Sequence, residues 1–116
     1  ATACACARKA LTRPVVSEAI LHLGEVPCAP FAVPGTDALA ESIVPYLHGH
    51  AAVLMANHGA VTWGSGMMQA YYRLETLEYY ANMLIRVGEL PQPAVELTEE
   101  ETAEIAALRQ KFGIVL

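Results

Sequence analysis

The sequence predicts an α/β domain: a small mixed sheet, largely antiparallel, covered by helices. Three observations lead there. Two short apolar runs, Ala51–Ala56 and Ala60–Trp63, flank Asn57-His58-Gly59 and read as adjacent paired strands. A long pattern of apolar residues at helical spacing runs from about Gly66 to Val87, and a second helical pattern follows Thr98. Helical and strand-like stretches alternate, with no internal repeat and no low-complexity tract. At 116 residues the chain is long enough for one core, and residues 1–116 are expected to belong to a single domain.

Taken in order, Ala1 to Leu11 is Ala-rich and favours a helix, with Arg8 and Lys9 suited to its C-terminal end. Thr12-Arg13-Pro14 breaks it. Ser17 to Leu23 fits a short helix, or a strand beginning at Val15; the pattern does not separate the two, and Gly24 ends either one. Val26-Pro27-Cys28-Ala29-Pro30-Phe31-Ala32 is extended, and its two prolines confine it to a sheet edge. Val33 to Thr36 is a turn into a helix, with Thr36 as N-cap and Asp37 in the first turn. Leu39, Ile43, Val44 and Leu47 would form the buried face of that helix, and Pro45 predicts a kink or an end near Val44. Tyr46 to His50 connects to the strand pair. On the long helix, Met67, Tyr71, Leu74, Leu77, Ala81, Leu84 and Ile85 are expected to face the core, and Gly88 with Pro91 stops it. After a linker from Glu89 to Leu97, Thr98 and Glu101 form a capping box. The last helix would run to about Phe112, with Ile105, Leu108 and Phe112 on one face and Gly113 as its cap.

Composition excludes two classes of partner. The net charge is −5 and no basic stripe exists, so phosphate neutralisation along a nucleic acid is disfavoured. The longest apolar run is about six residues, far below the ~20 that a membrane-spanning helix needs. Hydrophobic residues make up 54% and charged residues 16%, with a mean hydropathy of +0.34. A chain this small cannot bury all of that alone, so apolar surface is expected to meet a partner or a missing segment, and the isolated chain to self-associate or aggregate. Cys4, Cys6 and Cys28 are odd in number and contain no C-x-x-C, which favours a reduced, cytoplasmic setting with the thiols as small core residues. No targeting signal is visible. The chain opens on Ala1 in mid-pattern, which suggests a fragment or a processed protein.

The candidate chemistry centres on His58. The strand before it would deliver an imidazole to a rigid tip, which suits a metal ligand or an acid/base; a buried histidine bonded to a carbonyl is the plainer alternative. Gly59 would let the backbone turn sharply or be approached closely. His48-Gly49-His50 has a ligand-like spacing but sits in a connector, where exposed turn histidines are the default. His22 reads as core packing or a helix end. Glu75 and Glu78 share a helix face, and a solvated or Arg-paired face is the simpler account of them. Tyr71, Tyr72, Tyr79 and Tyr80 suit core and subunit packing, and Cys28 a structural role.

Four stretches in register, Val26 to Ala32, Pro34-Gly35-Thr36 with Leu39-Ala40-Glu41, Val53-Leu54-x-x-Asn57-His58-Gly59-Ala60, and Ala70 with Glu75 and Glu78, resemble the class II aldolase/adducin head domain family. The resemblance covers essentially the whole chain and implies that family's three-layer fold with its N-terminal part missing. It implies a zinc ion held by three histidines, two from an H-x-H motif and the third from the N-H-G stretch, so His58 is the expected metal ligand. The H-x-H motif lies just before the segment equivalent to Ala1-Thr2-Ala3, and a catalytic glutamate and phosphate-binding loops lie further upstream. This chain therefore corresponds to the C-terminal half and is expected to be inactive alone, with no catalytic residue of its own.

By the same resemblance, the intact protein is a cytoplasmic homotetrameric lyase. It cleaves or forms a C–C bond in a small sugar phosphate or hydroxy-carbonyl substrate through a metal-stabilised enediolate, with one Zn2+ per subunit. A sugar-phosphate 4-epimerase and a dehydratase share the same third histidine and remain open, as does a non-catalytic adducin-head-like binding or assembly module that keeps the fold and has lost the chemistry. The residues upstream of Ala1 discriminate the enzyme from the module: an H-x-H there, with a glutamate further up, supports the enzyme.

Overall fold

The computed structural model describes residues 1–116. Its centre is β2 (Ala52–Met55), whose Ala52, Val53 and Leu54 are all 0% exposed. An uninterrupted apolar run is what a strand covered on both faces requires. β3 (Gly59–Thr62) pairs with β2 antiparallel, Ala52 opposite Thr62 and Met55 opposite Gly59. β1 (Cys28–Ala29) pairs with β2 in parallel, Cys28 opposite Leu54 and Ala29 opposite Met55. The order β1-β2-β3 puts β1 at an edge, where Pro27 and Pro30 cost no ladder hydrogen bond. The sheet is therefore mixed, with its longer pairing antiparallel.

α1 (Thr2–Cys6) packs on β2 and β3 and buries Cys4 and Ala5 while Cys6 is exposed. It is shorter than the Ala-rich stretch predicts. Arg8 takes a left-handed conformation (φ 52), the Lys9 amide bonds back to the Cys4 carbonyl at 3.0 Å, and Leu11 then leaves to bridge Val26. α2 (Ser17–His22) resolves the helix-or-strand ambiguity as a helix. Gly24 (φ 66) closes it, its amide reaching the Ala19 carbonyl at 3.0 Å. α3 (Asp37–Ile43) ends ahead of Pro45 and tightens into a 3-10 turn over Val44–Tyr46. Thr36 sits at its N-cap, but its hydroxyl donates to the Val33 carbonyl and caps nothing. The expected buried face of α3 is absent: none of its residues is buried, and Val44 and Leu47 are exposed.

α4 (Met67–Gly88) packs on the sheet and on α2. Leu77 and Ala81 face the core as expected, whereas Met67, Tyr71, Leu74 and Ile85 are exposed. Arg73 and Tyr80 are buried instead. Arg73 donates to the carbonyls of Trp63 and Val115, and the Tyr80 hydroxyl donates to the Arg13 carbonyl. Each buries a polar group by giving it a backbone acceptor, which offsets the cost of desolvation.

α5 (Glu99–Phe112) begins with the expected capping box, Glu101 N–H to Thr98 Oγ1 at 3.2 Å and Thr98 N–H to the Glu101 carboxylate at 2.8 Å. It packs on α2, with Arg109 donating to the carbonyls of Ile20 and Leu21. Leu108 and Phe112 are exposed, so the expected apolar face is not the packing face. Leu11, Leu23, Val26, Leu54 and Leu77 form the main core. No helix is long and apolar enough to cross a membrane.

Candidate functional site

The parallel pair β1–β2 aligns its carboxyl ends, and the turn Ala56-Asn57-His58 follows directly from the buried strand β2. Ligand sites on α/β sheets favour this end of the strands. His58 is exposed at the turn, as the strand-tip expectation requires, and is not a buried histidine bonded to a carbonyl. Asn57 (φ 56) and Gly59 (φ 158) both take positive φ at the reversal, and side chains rarely adopt the Gly59 conformation. A Cβ on Gly59 would meet only Thr2 Oγ1, at 3.9 Å, so backbone conformation and not close approach accounts for the glycine.

The bonds that hold the turn come from Asn57 and the His58 backbone; the imidazole takes no part in them. The Asn57 amide donates to the Ala5 carbonyl at 3.0 Å, and the His58 amide to the Met55 carbonyl at 3.0 Å. Arg8 Nε donates to Asn57 Oδ1 at 2.9 Å. This link across 49 residues is not visible in the sequence, although an asparagine ahead of His-Gly is a recognisable left-handed candidate. Burial pushes the Cys28 thiol up, and the positive charge of Arg8 opposes that shift.

The other candidates do not join His58. His48 is exposed, and His50 Nδ1 lies 3.2 Å from the Glu25 carbonyl oxygen. His22 is exposed at the end of α2. Glu75 accepts from the Tyr71 hydroxyl at 3.0 Å, and Glu78 from the Ala1 amino group at 2.9 and 3.0 Å. Tyr71, Tyr72 and Tyr79 are exposed, and Tyr80 is core. No three His, Cys, Asp or Glu side chains come together to hold a metal ion. A cleft of about 480 Å³ lies between α2, α5 and the Gly49-His50 connector, and His58 does not line it. An exposed imidazole at a fixed turn fits Zn2+ as one member of a ligand set, and that one donor is what this chain offers.

The class II aldolase and adducin N-terminal domain model matches residues 1–85. The 3-oxo-tetronate 4-phosphate decarboxylase of Escherichia coli (strain K12) is 31% identical over 93 residues, 80% of this chain and 43% of that protein. The 5-deoxy-D-ribulose 1-phosphate aldolase of Bacillus thuringiensis serovar kurstaki is 30% identical over 101 residues, covering 86% of this chain and 47% of that protein. The solved structure of an L-fuculose 1-phosphate aldolase superposes with a TM-score of 0.82 at 29% identity, over 97% of this chain and 51% of that one. The chain thus spans about half the length of the relatives it matches. The fold is that of the fuculose-phosphate aldolase, and the chain belongs to the class II aldolase and adducin N-terminal domain family.

Proposed function

We propose that the whole protein is a zinc-dependent lyase acting on a small phosphorylated sugar or sugar acid, and that His58 is one of three histidine ligands of its metal. The observation that supports this best is the position of His58, exposed on a turn that follows a strand buried over Ala52 to Leu54, within the stretch that matches the family. The other two histidines and the acid/base carboxylate are assigned to segments outside residues 1–116, so this chain alone is inactive. A homotetramer in the cytoplasm completes the reading. The exposed Tyr71, Tyr72 and Tyr79 suit subunit contacts, and the three unpaired thiols suit a reducing compartment.

Zn2+ held by three neutral imidazoles supplies Lewis acidity toward a carbonyl oxygen, which both aldol cleavage and decarboxylation of a 3-oxo acid need as an electron sink. The chain's own contribution is positional. β2 is a rigid, buried base, and the Ala5 carbonyl and Arg8 hold Asn57. His58 then presents a neutral donor that leaves the ion's charge undiminished for substrate, as a carboxylate ligand would not.

The decarboxylase relative favours a second reaction within this reading, loss of CO2 in place of C–C cleavage to an aldehyde. The test uses the whole protein. Bound zinc should be about one per subunit, the content of a mononuclear catalytic site, and fall sharply in His58→Ala together with turnover. Assays for aldehyde release and for CO2 release separate the two reactions. Unchanged zinc and unchanged turnover in His58→Ala would refute the ligand assignment.

A further inference from the structure

Arg8 and Asn57 are the chain's only non-glycine residues with positive φ, at 52 and 56, and they are bonded to each other. Each conformation is unfavourable for a side chain. Two such residues joined 49 positions apart point to a built contact. The Ala5 carbonyl ties them further, accepting from the Arg8 amide and from the Asn57 amide, both at 3.0 Å. Nε fixes the plane of the guanidinium, so the single 2.9 Å bond to Oδ1 also fixes the Asn57 side chain. The residue whose direction this sets is the next one, His58.

We propose that Arg8 is a positioning residue for His58: by clamping Asn57 in its left-handed conformation it aims the imidazole at the metal. The inference rests on the reading of His58 as a ligand. Groups that orient a ligand from outside the coordination shell typically contribute 10- to 100-fold in metal affinity. Simple electrostatics has the opposite sign, because removing a cation beside a Zn2+ site strengthens binding. A fall in affinity on removing Arg8 therefore reports aim, not charge.

The test compares variants of the whole protein, freed of metal and titrated with Zn2+ against a competing chelator. Arg8→Gly accepts the left-handed backbone at no steric cost, so the fold is kept while the clamp is lost. The expected result is about tenfold or greater loss of Zn2+ affinity, the low end of that range. In the metal-free protein, hydrogen exchange at the Asn57 and His58 amides should speed up. Asn57→Asp, which keeps an acceptor for Arg8, should retain most of the affinity. Arg8→Gly combined with Asn57→Gly should cost no more than the worse single change, as expected when both remove one contact. If His58→Ala loses zinc but Arg8→Gly keeps its affinity and its slow exchange, the positioning role is overturned and the ligand reading stands. If His58→Ala keeps its zinc, the ligand reading falls and the proposal falls with it.

Discussion

Tyr80→Phe is the substitution whose effect should change sign with pH. The Tyr80 ring is 3% exposed, and its hydroxyl donates to the Arg13 carbonyl, tying α4 to the segment that follows α1. Removing one buried hydrogen bond costs about 1 kcal/mol near neutral pH. The same burial pushes the phenol from 10.0 up to about 12, with Arg13 opposing the shift and Glu25 and Glu96 adding to it. A pKa raised in the folded state gives stability that is complete below the unfolded value and is lost as pH rises toward the folded one. Between pH 10 and about 12, then, wild type loses roughly 1.4 kcal/mol per pH unit from this group, and a phenylalanine loses nothing. The advantage of wild type should shrink from about pH 10 and vanish near about pH 11. Parallel urea unfolding of the two proteins across that range cancels every other group that titrates there. A gap that stays constant from about pH 8 to about pH 11 would refute the reasoning, because it would mean that the folded phenol ionises as freely as the unfolded one.

Arg109→Met should destabilise by about 2 kcal/mol in the same unfolding assay, because the guanidinium donates to two carbonyls in the last turn of α2, Ile20 and Leu21, and charged hydrogen bonds are worth about 1.5–3 kcal/mol. An effect near zero would mean that water replaces it. Brief alkylation followed by peptide mass spectrometry should label the exposed Cys6 first and leave Cys4 protected. Cys28 should lag, since burial raises its thiol and lowers its thiolate fraction. Equal labelling of Cys6 and Cys28 would contradict that order.

What the sequence discloses divides along local and non-local lines. The strand pair, the α5 capping box and the end of α3 before Pro45 are each set by neighbours within a few positions, and all are found as expected. The buried faces of the helices are not. α4 carries apolar residues nearly all round, so periodicity cannot say which stripe meets the sheet. The answer turns on Arg73 and Tyr80, whose polar ends find backbone acceptors at Trp63, Val115 and Arg13. Arg8 is a further case. Its composition suits a helix end, yet the carbonyls of Cys4 and Ala5 and the side chain of Asn57 draw it left-handed. At the site, the place of His58 on a turn was legible because a buried strand stops there. The contact that aims it was not, because its partner is 49 residues away.

Several faces that sequence periodicity places in the core are left open by the structure. The accessible surface is 7141 Å². A compact monomer of 12.4 kDa exposes about 6,100 Å², so the excess is roughly 1,000 Å². One side of a standard protein–protein interface buries about 800 Å². Exposed apolar residues include Val44 and Leu47 at the end of α3, and Met67, Met68, Tyr71 and Tyr72 at the start of α4. An apolar stripe in the sequence records that a face is covered, not what covers it. Leu39 and Ile43 on α3 are half-buried, so the stripe they mark is covered only in part within residues 1–116. The same reasoning applies to the proposed metal ligand. His58 lies on a turn held by backbone bonds, and the proposed function takes the other zinc ligands from the rest of the protein. Under the proposed function, surface and site would both be completed by structure that the rest of the protein contributes.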